Sequence, residues 1–142
     1  MKKASWIVLL VVGLVVLAIS LVSTGVAMQG DWPIGPTTLA KLEAAVPGTG
    51  VPLRGSRGTA AAFGAAYGVL FLTIVLGPYR RGETWAWWAL LGSSLVLAAL
   101  ILLRVPFIGT TLGVPTAIVP LVLVLVGLML DLSRVRGSEK RS

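Results

Sequence analysis

The chain contains no cysteine and no histidine. Without thiols there is no disulfide, no thiolate metal site and no cysteine nucleophile. Without imidazole there is no histidine ligand for haem and no histidine acid–base chemistry. Carboxylates are almost as scarce, the full set being Asp31, Glu43, Glu83, Asp131 and Glu139. None falls midway along a hydrophobic stretch, where a proton pump, an ion-coupled transporter or a charge-lined channel would carry its ionisable group. A glycine-rich phosphate loop, a serine elbow and a metal-ligand cluster are also missing. The sequence therefore predicts a protein that is not an enzyme, with no catalytic residue, no metal ligand and no cofactor of its own. Any redox or proton function would have to come from a bound cofactor or a partner.

What the chain does have is apolar sequence. Of its 142 residues 56% are hydrophobic and 12% charged, and the mean hydropathy is +0.96, far outside the range of ordinary soluble domains. Charged side chains are absent from Ala4 to Gly30, Gly58 to Tyr79, Thr84 to Leu103 and Val105 to Leu130, windows of 27, 22, 20 and 26 residues. A bilayer core of about 30 Å takes roughly 20 apolar residues of helix, so each window can hold one crossing. The windows are continuously apolar and lack the alternation of a barrel strand. The prediction is an all-α transmembrane four-helix bundle forming a single domain over 1–142. Its helices fall at about 5–28, 59–78, 84–103 and 115–132, with an outer loop at 29–57 and a basic tail at 133–142.

A net charge of +7 would suggest nucleic acid in a soluble protein. Here the basic residues flank the spans, and no nucleic-acid partner is expected. With the N-terminus inside, the inner segments carry Lys2, Lys3, Arg80, Arg81, Arg134, Arg136, Lys140 and Arg141, against Lys41, Arg54, Arg57 and Arg104 outside. That bias follows the positive-inside rule and puts both termini in the cytoplasm of a multi-pass inner-membrane protein. Arg54, Arg57 and Arg104 run against the bias near the outer interface, where they are candidates for lipid or phosphate contact. Lys2-Lys3 before an apolar run, with Gly25-Val26-Ala27 as a small-residue site, also has the form of a signal peptide. The run exceeds the usual length of about 7 to 15 residues, which favours an uncleaved helix.

The outer loop is the one sizeable polar segment. Asp31-Trp32-Pro33 and Pro47-Gly48-Thr49-Gly50 read as turns. Between them Thr37 or Thr38 is placed to cap a short amphipathic helix from Leu39 to Ala45, with Leu39, Leu42 and Val46 on one face. This loop, 29–57, is the expected partner-facing surface. An enzyme at the outer interface would have to use its Asp31, Glu43, Arg54 and Arg57, but these read more simply as a turn, a solvated helix face and head-group contacts.

The second apolar helix carries small residues at four-residue spacing, Ala60, Gly64 and Gly68. Close backbone approach supplies much of the association energy of helices in lipid, so this stripe predicts packing inside the bundle in preference to homodimerisation. Ala89, Gly92 and Ser93 on the third helix offer a matching surface. The inner hairpin between these helices holds Tyr79, Arg80, Arg81, Trp85, Trp87 and Trp88. The aromatic residues are expected at head-group level and the arginines against anionic lipid. Stacking of a pigment or quinone on the tryptophans is the functional alternative.

The run Tyr-Arg-Arg-Gly-Glu-Thr-Trp-Ala-Trp-Trp, from Tyr79 to Trp88, resembles a segment of small uncharacterised bacterial membrane proteins of four helices. The resemblance implies a bacterial source and supports the architecture. It brings no activity and no site residue. The functional expectation is an accessory subunit or scaffold of a membrane complex, embedded in the lipid bilayer and meeting a membrane-protein partner through helix faces or the outer loop. A carrier of a hydrophobic ligand such as lipid, quinone or carotenoid is the rival class, and an interfacial enzyme the third.

Overall fold

The computed structural model describes residues 2–108 and 114–132. The tail 133–142 lies outside the described residues, as do the side chains of Lys2, Lys3 and Arg104. The described residues are all-α apart from one hairpin of two two-residue strands. Helix α1 runs Lys2–Gln29, the hairpin strands β1 and β2 are Pro33–Ile34 and Thr37–Thr38, and α2 is Leu39–Ala45. Helix α3 is Gly50–Ile74 and continues into a π-helical turn, Val75–Tyr79, while α4 is Thr84–Ile108 and α5 Val114–Met129.

Three of these helices are long and apolar enough to cross a membrane: Ala4–Gln29, Gly50–Tyr79 and Thr84–Phe107. In each, only 22% of the most apolar stretch is buried within the protein. Side chains such as Val22, Phe63 and Leu100 are left exposed along them, far more apolar surface than a water-facing helix carries. Helix α5 is equally apolar but has 16 residues, about 24 Å at 1.5 Å per residue. It takes Pro120 into its interior.

The largest departures from the sequence expectation are at two helix boundaries. Helix α3 begins at Gly50 and absorbs the last part of the segment read as outer loop 29–57. Pro52 fits because the first turn of a helix has no intrahelical use for its amide hydrogen, and a Cβ at Gly50 would fall on the Glu43 carboxylate, which sits at this helix start. Helix α4 runs on through Pro106 to Ile108. A proline this close to a helix end sacrifices one backbone bond, a loss that apolar helices accommodate.

The chain divides into two compact units, residues 15–69 and residues 1–14 with 70–142. In the first, α1 and α3 meet at small residues: Gly64 lies on the Ser20 hydroxyl and Gly68 on the backbone and Cβ of Leu17. The stripe that packs is Ala61, Gly64 and Gly68, the first and last buried and Gly64 half-buried, whereas Ala60 is exposed. Gly92 is exposed too, with open space where a Cβ would stand. Within residues 15–69 the stripe is met by Leu17 and Ser20 on α1. A step of three and then four residues keeps Ala61, Gly64 and Gly68 on one line of the helix.

In the second unit, Gly13 of α1 receives Leu72 and Phe71 of α3, and Gly127 of α5 receives Leu9 and Val8 of α1. Helices α4 and α5 pack against each other. The turn before α4 is a Schellman closure: the Gly82 amide donates to Tyr79 O (3.1 Å) and the Glu83 amide to Pro78 O (3.1 Å). It needs a left-handed residue, and Gly82 supplies φ 93°.

Candidate functional site

In residues 15–69 the polar groups gather where α1 ends and α3 begins. The β hairpin closes on Gly35-Pro36, with Gly35 at φ 60°, the positive value that a two-residue turn of type II′ requires at its first position. The hairpin leads straight into α2, whose free amides are all met locally. Leu39 N donates to Trp32 O (3.1 Å), Ala40 N to Asp31 Oδ1 (2.9 Å) and Lys41 N to Thr38 Oγ1 (3.4 Å). Thr38 is thus the N-cap, and Asp31 is a second cap reaching across the hairpin. Leu39 is buried under this arrangement, but Val46, expected on the same face, is exposed at the C-cap.

The Asp31 carboxyl is held below its ordinary value, first by the Ala40 amide, against the opposing effect of desolvation, with further lowering by Thr38, the Trp32 amide and the charge of Arg54. These groups favour the ionised form.

Arg54 and Arg57 lie in the first two turns of α3, not in a loop. Arg54 Nη1 donates to Gly30 O (2.9 Å) and Ala27 O (3.4 Å). It therefore closes the carbonyl end of α1, which no intrahelical donor can reach. Arg57 Nε donates to Ser23 Oγ at 3.3 Å. Both guanidinium groups lie over the Trp32 ring, Arg57 at 4.7 Å and Arg54 at 5.6 Å from its centre. Trp32, read as part of a turn, is the platform of the cluster. No spacing rule connects it to arginines more than twenty residues away, and only the hairpin brings it there. Arg104 falls within α4.

In the other unit a second polar group is buried near the end of α5. Ser5 Oγ donates to Gly127 O at 2.7 Å and is hydrogen-bonded to the Tyr79 hydroxyl. Since its single proton goes to the carbonyl, Tyr79 is the donor to Ser5. Trp87 Nε1 donates to Leu128 O at 3.2 Å, and Asp131, just past the helix, is buried as well. Side chains of α1 and α4 thus satisfy the terminal carbonyls of α5 as Arg54 does for α1. Ser5 carried no signal in the sequence beyond its position at the start of an apolar run.

The residues expected at head-group level divide. Tyr79 and Trp87 are buried, because their polar atoms are used in these internal bonds. Trp85 and Trp88 are exposed, Trp85 donating to Glu83 Oε2 at 2.6 Å. Trp88 meets the edge of Trp87. Arg80 and Arg81 are exposed, and Arg80 lies over the Trp6 ring at 4.7 Å. Comparison with protein families, with curated proteins and with solved structures found no match.

Proposed function

We propose that the chain is an integral protein of the bacterial inner membrane with four membrane helices, both termini cytoplasmic, and that it serves as a non-catalytic accessory subunit or scaffold of a membrane complex. The observation that carries this reading is how its polar groups are spent. Ser5, Tyr79, Trp87 and Arg54 bond to other helices or close their ends, and Asp31 caps α2. Most of what remains on the outside of the long helices is apolar. Such a surface suits lipid and the apolar faces of neighbouring helices.

Helix α5 supplies the fourth crossing by pairing with α4. Its shortfall against a core of about 30 Å is a few ångströms, which local thinning and the flanking residues cover. The resemblance of Tyr79 to Trp88 to small bacterial membrane proteins supports the source, and the charge bias supports the orientation. The test is purification of the tagged full chain from its native membrane in mild detergent. Partner chains in fixed stoichiometry are expected. A homogeneous chain without a partner overturns the subunit reading, and a pigment or quinone retained in place of a partner replaces it with a carrier.

A further inference from the structure

We propose that Arg57 and Arg54, held against Trp32, form a binding site for a phosphate group. The two guanidinium groups stand 5.6 and 4.7 Å from the centre of one indole ring, so two positive charges gather around it. The Asp31 carboxylate offsets part of this charge through Arg54, and a further anion beside Arg57 would offset the rest. Among the described residues no carboxylate pairs with Arg57, whose contacts are the Ser23 hydroxyl through Nε and the Trp32 face. Its terminal nitrogens keep their donors, in the fork geometry that matches phosphate oxygens. The nearest acid of the hairpin, Asp31, has its Oδ1 on the Ala40 amide. Arg54 uses Nη1 on the α1 carbonyls and retains donors on its other nitrogens.

Position points to the same ligand. Helix α1 ends at Gln29 and the uncharged stretch of α3 begins at Gly58, so on the membrane reading the cluster lies where hydrocarbon gives way to head groups. Phosphate esters are concentrated at that depth, and half-buried guanidinium groups bind them more strongly there than in open water. This depth argument rests on the membrane reading, whereas the geometry of the cluster does not. The shared chemistry is a phosphate group, supplied by a phospholipid head group or by free phosphate.

Native mass spectrometry of the full chain in a neutral detergent tests the site, with dioleoyl phosphatidylglycerol and inorganic phosphate as probes and dioleoylglycerol as the phosphate-free control. Arg57→Gln is expected to weaken phosphatidylglycerol binding about tenfold, the scale of a lost charge-assisted pair, and Lys41→Gln to leave it unchanged. Displacement of the lipid by millimolar phosphate makes free phosphate a ligand of the site; retention makes it a head-group site. Equal binding by wild type and Arg57→Gln, or an equal loss in Lys41→Gln, overturns the proposal. Should Arg57→Gln not fold, modification of wild-type Arg57 by phenylglyoxal gives the same answer. Phosphatidylglycerol is expected to slow it severalfold relative to dioleoylglycerol, and an unchanged rate overturns the site. Failure in every arm leaves the membrane reading standing, since that is decided separately by labelling from the two sides.

Discussion

Ser5 and Tyr79 are joined through their hydroxyls across 74 residues of sequence, and the same Ser5 oxygen donates to Gly127 O. One side chain on α1 therefore ties the end of the π-helical turn to the end of α5. Ser5 is fully buried and Tyr79 nearly so, which makes the loss of a partner costly. Ser5→Ala strands the Gly127 carbonyl and removes the acceptor of Tyr79, and should destabilise the protein by about 1–2 kcal/mol. Tyr79→Phe leaves the bond to Gly127 in place and should cost less, about 0.5–1 kcal/mol. Because the two residues share one network, the double variant should lose less than the sum. Unfolding in mixed micelles of detergent and sodium dodecyl sulfate measures all three, and a strictly additive result removes the coupling.

The glycines separate by what a methyl group would meet. At Gly68 it would stand 3.1 Å from Leu17 Cβ and 3.2 Å from the Leu17 backbone, neither of which can swing away. Gly68→Ala should therefore destabilise by about 1–3 kcal/mol, the range of an overpacked contact. Gly64→Leu and Gly68→Leu should break the pairing of α1 with α3 outright. Gly92 faces open space, so Gly92→Ala should be neutral or stabilising by up to about 1 kcal/mol, since alanine is the better helix former. The same unfolding assay ranks them, and equal effects at Gly68 and Gly92 would refute the assignment of the packed face.

Asp31 makes the start of α2 sensitive to acid. Its carboxyl titrates below the ordinary value because the Ala40 amide, chiefly, favours the charged form. A depressed value in the folded state means that the stabilisation is complete above the unfolded value, near pH 4, and is lost as pH falls through the folded one. The Ala40 amide should lose protection from hydrogen exchange in that range, once exchange is corrected for its intrinsic pH dependence. Asp31→Asn should flatten the response. Protection of Ala40 that stays constant from pH 6 to pH 2 would contradict it.

Much of this was legible in the residues and some was not, for identifiable reasons. Long uncharged windows revealed apolar helices because hydrocarbon expels charge, and Thr38 and Pro47 bracketed α2 because caps and breakers act locally. The start of α3 was misplaced for the same reason: Arg54 and Arg57 read as the end of a loop. Their charges are tolerated in a helix because α1 carbonyls, Ser23 and Trp32 receive them, partners that lie far away in sequence. Tyr79 and Trp87 carry the same aromatic composition as Trp85 and Trp88, yet only the first two have buried polar partners. Composition places such rings near an interface. Whether a ring faces lipid or a helix end is decided by contacts between helices.

The absence of cysteine makes the orientation directly measurable, since any introduced thiol is the only one in the chain. Lys41 on α2 and Arg81 beside the Schellman turn are both exposed, so Lys41→Cys and Arg81→Cys should fold with little loss. If α1 and α3 cross the membrane from opposite sides, the two thiols face different compartments. In intact spheroplasts a charged, impermeant maleimide should label Lys41→Cys fully and Arg81→Cys only after permeabilisation. Charge supports that direction, since Arg80 and Arg81 add to Lys2 and Lys3 on the side that retains basic residues. The reverse pattern would invert the topology while leaving the spans intact. Equal labelling of both thiols without permeabilisation would show that no barrier separates them, and would remove the membrane reading itself.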